Sequence, residues 1–155
     1  MNLNPGYIWK RGWAVLVLCM LALGSASARA GDFKFEAQLV WATDDEKSPD
    51  NKHKPVDEET RKVFENLPLK WKHFFEVKRE TSTVSKGGSK KMAMSERCSI
   101  EIRHIEGQKF EVTLFGSKDK VCSKQTQTLE KGKSLVVGGN APNKTAWLVV
   151  LKRIE

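Results

Sequence analysis

Residues 98–114 read CSIEIRHIEGQKFEVTL, and this stretch decides the fold. Apolar and polar residues alternate on both sides of a connection at residues 106–108, which is the period-2 pattern of two strands with one buried face each. An antiparallel pairing that places Ile102 opposite Val112 keeps the apolar residues on one face. The stretch therefore predicts a β-hairpin that contributes one face to a core.

The same alternation recurs on both sides of the hairpin. Five further strands are predicted, over residues 33–41, 71–84, 120–129, 135–137 and 146–151. The strand at 120–129 is mostly polar, which suits a sheet edge. The strand at 146–151 is apolar on both faces, which predicts a place in the middle of the structure with Trp147 buried beside Val149 and Leu151.

One short helix is predicted over residues 57–66. Asp57 can cap its first turn, where Glu58 and Glu59 also place negative charge beside the free backbone N–H groups, and Pro68 ends the segment. Apolar residues recur at helical spacing along one face. Because so short a helix is marginal without tertiary packing, this face is expected to cover the sheet.

These elements together predict a mainly β fold. Seven strands, most of them joined by short turns, and one early helix favour an antiparallel β-sandwich or a small barrel. Residues 43–55 are predicted to form a long polar surface loop, and residues 85–94 a flexible basic loop. Loops on a rigid scaffold usually carry function, so these two loops are the expected contact regions.

The first thirty residues have the features of an export signal. Lys10 and Arg11 precede an apolar run over residues 13–23, and small residues follow that run. This order is a positive n-region, an h-region and an Ala-x-Ala cleavage site. Cleavage after Ala30 is preferred because Gly31 leads directly into the first strand pattern, whereas cleavage after Ala28 also fits.

The sequence then divides into a signal peptide, residues 1–30, and a single β-rich domain, residues 31–155, that is secreted or periplasmic. An uncleaved membrane anchor is the rival interpretation, but the apolar run is about half the roughly 20 residues that span a bilayer. A lipidated Cys19 is a further alternative, although the preceding Leu18 is large for such a site. No stable membrane insertion is expected after cleavage.

The mature domain is expected to be basic and to contain two cysteines. Residues 1–30 contain three basic residues and no acid, so the net charge of +8 for the whole chain becomes +5 after cleavage. Cys98 and Cys122 are then the only cysteines, and in an oxidising compartment they are a candidate disulfide. In a plain meander an intervening strand separates them by about 10 Å, whereas a disulfide needs Cα atoms within about 7 Å, so both bonded and free thiols stay open.

Catalytic and metal-binding signatures are absent from the sequence: it contains no G-x-S-x-G, H-E-x-x-H or C-x-x-C motif, no Walker loop and no dinucleotide fingerprint. His73 and His104 are in phase with apolar neighbours, so they are either histidines at the rim of the core or an acid/base or zinc pair. His53 is expected to face solvent. The acids of the 43–55 loop lack the spacing of a calcium loop. No cofactor or metal is expected.

Basic residues in the second half of the chain are the candidate binding group. Three lysines surround a glycine pair in the 85–94 loop, and others precede them along the 71–84 strand. The candidate polyanion-binding residues are Lys72, Lys78, Lys86, Lys90 and Lys91. Cations beside aromatic residues are typical of surfaces that bind acidic polymers.

The function that these observations favour is binding without catalysis. The expected partner is an acidic polymer or an envelope protein, and no nucleic acid is expected. The alternatives are an unrecognised secreted hydrolase that uses His73 or His104, and a secreted protease inhibitor that presents a loop. The sequence leaves open which ligand is bound.

Export can be tested by N-terminal sequencing of the protein made in its native host. The mature chain is expected to begin at Gly31, or at Arg29 for the alternative cleavage, because the signal is removed after an Ala-x-Ala site. Recovery of the chain with Met1 intact in the membrane fraction would contradict this prediction.

Overall fold

The computed structural model describes residues 31–141 and 143–155; the predicted signal peptide and its cleavage sites lie outside the described residues. The described part contains nine strands and one α-helix. The strands are β1 Phe33–Thr43, β2 Lys54–Pro55, β3 His73–Val84, β4 Ser89–Ser95, β5 Cys98–Glu106, β6 Lys109–Phe115, β7 Val121–Thr128, β8 Ser134–Asn140 and β9 Ala146–Arg153, and the helix is α1 Glu58–Glu65. A short 3-10 turn, Ser117–Asp119, joins β6 to β7.

Two antiparallel sheets pack face to face. The five-stranded sheet has the order β2-β3-β1-β9-β8 and the four-stranded sheet the order β4-β5-β6-β7. The predicted hairpin is confirmed: Ile102 pairs with Val112 and Ile100 with Leu114, although the connection is shorter than predicted and consists of Gly107 and Gln108. This architecture confirms the mainly β prediction and is consistent with a sandwich.

The main core lies between the two sheets. Its buried members come from β1, β3, β4, β5, β6, β8 and β9 and from the segment after β7, and among them are Phe35, Leu39, Met92, Ile100, Ile102, Phe110, Val112 and Leu151. Since successive side chains of a strand point to opposite faces, β1 and β9 also present apolar residues on the outer face of the five-stranded sheet. There Val40 and Leu148 pack with Phe64 of α1. The helix thus covers the sheet, as its amphipathic pattern predicts.

The helix is capped at its N-terminus and is joined to the sheet by ion pairs and a hydrogen bond. Asp57 accepts a hydrogen bond from the backbone N–H of Thr60 at 2.8 Å, which caps α1 as predicted. Asp57 also pairs with Arg79 of β3, which reaches Glu36 of β1 at 3.0 Å. The hydroxyl of Thr60 donates to buried Gln38 at 2.7 Å.

No helix among the described residues is long and apolar enough to cross a membrane.

The structure corrects the predicted flexible loop at residues 85–94. Only residues 85–88 form a turn, and residues 89–94 belong to β4, which pairs with β5. Met92 and Met94 are each 1% exposed and belong to the core between the sheets. These two methionines alternate with exposed neighbours, but the preceding basic residues and the apolar Ala93 between them obscured that pattern. The two-residue β2, which pairs with β3, was also missed.

The central position of the last strand is confirmed, but the burial of its tryptophan is not. β9 lies between β1 and β8, and Val149 and Leu151 are buried as predicted. Trp147 is 41% exposed, so the prediction of a buried Trp147 was wrong. It lies at the beginning of β9, at the end of the sandwich where a cleft opens between the sheets.

The cap of α1 gives a testable contribution to stability. Asp57→Ala should lower the free energy of unfolding by about 1 kcal/mol because it removes the cap, whereas Asp57→Asn should cost less because asparagine also caps helices. The measurement is urea denaturation at neutral pH. An unchanged midpoint for Asp57→Ala would show that the cap contributes nothing.

The same residue predicts a pH dependence. The Thr60 backbone N–H, and then Arg79, hold the pKa of Asp57 below its ordinary value of 3.8. A lowered pKa means that the folded state favours the carboxylate, so this stabilisation is complete above pH 3.8 and is lost as the pH falls through the lower folded value. The stability difference between the parent and Asp57→Asn should therefore be constant from about pH 5 to 8 and shrink below about pH 4. A difference that grows on acidification would contradict this assignment.

Candidate functional site

A cleft of about 550 Å³ opens between the two sheets at the end where β9 begins. Both sheets contribute to it through the ends of their strands. We call it the Trp147 cleft; its lining includes Trp147, Val149, Gly139, Leu114, Cys98 and Cys122. This volume lies within the range of about 300–1,000 Å³ that is usual for small-molecule sites.

Trp147 points into the cleft because of its register in β9. Trp147, Val149 and Leu151 alternate with residues that face the helix, so the indole projects toward the four-stranded sheet. One face of the indole is covered, because Trp147 stacks on Trp41 with ring centroids 6.2 Å apart. Its partner in β8 is Gly139, which has no side chain to cover the rest. An aromatic surface is therefore accessible inside a cleft.

The aromatic contacts continue from the cleft into the predicted 43–55 loop. Trp41 is 7% exposed and lies 6.3 Å from the ring of His53 and 6.4 Å from that of Phe75. The imidazole of His53 also hydrogen-bonds through Nδ1 to the hydroxyl of Ser48 at 2.7 Å. His53 is thus half-buried, and the prediction that it faces solvent was wrong. One of the two predicted contact loops therefore packs at the same end of the sandwich as the cleft.

The two cysteines line the cleft as free thiols, so the candidate disulfide between Cys98 and Cys122 is absent from the structure. They lie on β5 and β7, with β6 between them, as the plain meander requires. The sulfur of Cys122 lies over Gly116 at the end of β6, only 2.7 Å from where a Cβ would stand. Burial, and then the neighbouring Cys122, raise the pKa of the Cys98 thiol to about 11.

The predicted histidine pair is not brought together. His104 is buried and its two ring nitrogens contact backbone: Nδ1 accepts from the N–H of Gly87 at 2.9 Å, which leaves Nε2 to donate to the carbonyl of Gly107 at 3.1 Å. Its ring also stacks on Phe33. His73 begins β3 at the opposite end of the sandwich. These contacts give His104 the role of joining two turns.

Carboxylates, thiols and imidazoles do not converge on a metal centre in the described part of the chain, where no group of three or more such side chains could hold an ion. The acids of the 44–50 segment are exposed. Asp50 instead accepts a hydrogen bond from the backbone N–H of Lys52 at 2.9 Å, which is a local turn contact.

The five candidate polyanion-binding lysines are spread over the molecule. Lys72 precedes β3 at the Trp147 end, Lys86 lies in the turn at the other end, and Lys78, Lys90 and Lys91 lie along β3 and β4. Lys78 pairs with Glu80 at 2.8 Å and donates to the carbonyl of Ala93. Lys91 pairs with Asp119 at 2.8 Å. Binding of an acidic polymer by these residues stays a prediction, which salt-dependent retention on heparin would test.

A second cavity, of about 350 Å³, lies on the opposite face of the five-stranded sheet. We call it the outer cavity; it is lined by the segment of residues 67–71 and by the facing ends of β8 and β9. The indole N–H of Trp71 donates to the carbonyl of Lys144 at 2.7 Å and so fixes one wall. Gly139 and Asn140 line both this cavity and the Trp147 cleft.

Sequence reasoning missed the cleft, although one signal for it was present. Gly138 and Gly139 end a strand pattern, and glycine in a strand often marks a close approach of another backbone or of a ligand. At Gly138 a Cβ would collide with the carbonyl of Trp147, whereas at Gly139 it would meet nothing within 4 Å. Packing therefore explains why position 138 is a glycine, but it does not explain the glycine at position 139.

The two thiols should differ in reactivity toward Ellman's reagent at pH 8. Exposed Cys122 should react fast, whereas half-buried Cys98, with a pKa of about 11, has only about one thousandth of its thiol ionised and should react slowly. Cys122→Ser should remove the fast reaction and Cys98→Ser should leave it intact. Equal rates for the two thiols, or a disulfide detected by mass spectrometry, would contradict the structure.

Comparison of the chain with models of protein families, with curated proteins and with solved structures found no match.

Proposed function

We propose that the domain of residues 31–155 is an exported binding module whose ligand occupies the Trp147 cleft. The observation that carries this proposal is the exposure of Trp147. Its side chain points toward the four-stranded sheet, yet the residue is 41% exposed, because the two sheets separate at this end and Gly139 leaves the indole uncovered. Aromatic and other apolar side chains in a concave site are what most ligand pockets present.

The lining suits a ligand with an apolar group and an acidic one. Apolar side chains line the cleft beside the indole: Phe115 is half-buried, and Leu114 and Val149 are buried. Arg97 lies in the exposed turn between β4 and β5 and lines the cleft. A guanidinium pairs well with carboxylate or phosphate groups, so Arg97 can bind the acidic group of such a ligand.

The position of the predicted contact loop supports the same site. His53 contacts Trp41, and Trp41 stacks on Trp147, so the loop and the cleft are joined by one run of aromatic contacts. The hydrolase alternative receives no comparable support, because the ring nitrogens of His104 are engaged by backbone and His73 lies far from it. Binding is the function that more of the geometry supports.

Trp147→Ala should weaken binding of the apolar anionic dye anilinonaphthalene sulfonate at least about tenfold, because the indole is the largest apolar surface of the cleft. Ile105→Ala is the matched control, since Ile105 is also 41% exposed and lies at the opposite end of the sandwich. The measurement is dye fluorescence as a function of protein concentration, with the urea midpoint of each variant measured alongside.

Three results would bear on this prediction. Loss of dye binding in Trp147→Ala, with binding retained in Ile105→Ala, supports the cleft as the site. Equal binding by the parent and Trp147→Ala would place the dye elsewhere, and no dye binding by the parent would overturn the proposal.

A further inference from the structure

The end of β8 is a wall between two cavities. β8 is one of the two edge strands of the five-stranded sheet and pairs, among the described residues, with β9 alone. Gly139 and Asn140 line the Trp147 cleft on the inner face of the sheet and also the outer cavity on the other face. The unpaired edge of β8 therefore runs directly between two places that side chains can enter.

The pleat of the sheet decides which kind of ligand could enter both cavities. In β8, Val137 belongs to the core between the two sheets, whereas Val136 packs on the outer face against the apolar cluster that contains Phe64 and Leu148. A strand added beside β8 would continue this alternation, so two consecutive side chains would enter the two cavities, one from each face. A small molecule could occupy only one of them, because the backbone of β8 separates the cavities.

We propose that the edge of β8 at Gly138–Asn140 accepts an extended segment of another protein as an additional strand. Two adjacent apolar side chains of that segment occupy the Trp147 cleft and the outer cavity, and acidic residues flank them. Main-chain hydrogen bonds to the free edge supply affinity, and the two cavities supply specificity. This inference rests on the proposed function and names its ligand class.

The charges around the two cavities favour an acidic partner. Four exposed bases surround them: Arg97 and Lys120 beside the cleft, Lys70 and Lys144 beside the outer cavity. None of the four forms an ion pair with another residue of the described ranges, and Glu96 is the acid among the lining residues of the cleft.

The same charges argue against a second copy of this chain as the occupant. Pairing two β8 edges would bring the bases of both copies together, and like charges across an interface are unfavourable. An acidic segment of a different protein meets these bases with complementary charge.

The test uses synthetic peptides with glutamate-rich ends and every pairing of Val, Ile, Leu, Phe and Trp at two adjacent central positions. Binding to the full domain is measured by fluorescence anisotropy. A control set has the same composition, but its two apolar residues are separated by one serine, so both would point to the same face. A second control carries N-methyl groups on alternate amides, which removes main-chain donors and leaves the side chains.

The protein variant is Gly139→Leu. A Cβ at Gly139 meets open space, so the backbone accommodates a leucine, whose side chain fills the Trp147 cleft beside the indole. The matched control is Thr126→Leu, which adds the same side chain to an exposed position on β7, an edge strand of the four-stranded sheet. A urea midpoint no lower than that of the parent, for both variants, verifies that a loss of binding does not come from unfolding.

The best adjacent-pair peptide should bind at least about tenfold more tightly than its spaced and N-methylated controls, and Gly139→Leu should weaken it about tenfold while Thr126→Leu does not. Strand addition would be overturned if dye binding depends on Trp147 but no peptide saturates the protein at millimolar concentration. It would also be overturned if the N-methylated peptides bind as tightly as the unmodified ones. In both cases the cleft stays a small-molecule site. Failure of both dye and peptides would overturn the proposed function as well.

Discussion

The two-sided burial of β1 and β9 is the constraint on which the rest of the structure depends. One face of each strand meets the four-stranded sheet, and the other meets α1 and the residues that follow it. Burial of apolar area contributes about 25 cal/mol per Å², so a strand covered on both faces contributes more than one with a solvated face. Leu39, Val149 and Leu151 supply the first contact and Val40, Leu148 and Val150 the second.

β1 and β9 are buried along their whole length only where the elements that cover their two faces are equally long. The cleft forms at the end where the covering elements are shorter than these two strands. At the end where β1 stops and β9 begins, inward-facing positions extend beyond the buried core of the four-stranded sheet. Trp41 is covered there by Phe75 and by His53 of the following loop. Trp147 has Trp41 on one side only, because the β8 residue opposite it is Gly139. The indole of Trp147 is thus accessible because its neighbour in β8 has no side chain.

Local pattern predicted much of this fold, because in a sheet the side-chain period reports directly which face is buried. The hairpin register, the capped helix over residues 57–66 and the interior position of β9 all followed from alternation or spacing. β4 did not, because lysines occupy its first half and only Met92 and Met94 carry the pattern. Trp147 has the same alternation as Val149, so its exposure depends on the reach of the facing sheet, which no local pattern contains.

The candidate site escaped prediction for a related reason. Its residues come from the ends of strands in both sheets, and each is individually unremarkable: a glycine, a half-buried thiol, an arginine in a turn. The lysines that the sequence did single out are exposed, but two of them are neutralised by Glu80 and Asp119. Glu80 lies two residues from Lys78 in β3 and so on the same face, whereas the topology brings Asp119 to Lys91 from the turn between β6 and β7. Convergence in space is a property of the topology, and the topology of nine strands is only loosely constrained by one sequence.

Gly139 separates a structural explanation of this end of the molecule from a functional one. Glycine inside a strand lowers stability because it loses more backbone freedom on folding and packs no side chain. Gly138 needs to be glycine, since a Cβ would collide with the Trp147 carbonyl, but Gly139 has open space beside it. A β-branched residue at position 139 would cover Trp147 and extend the buried surface, so the glycine leaves the free domain less stable than it could be. Such departures from local consistency tend to occur at functional sites, and here the departure keeps open the surface that an entering side chain would bury.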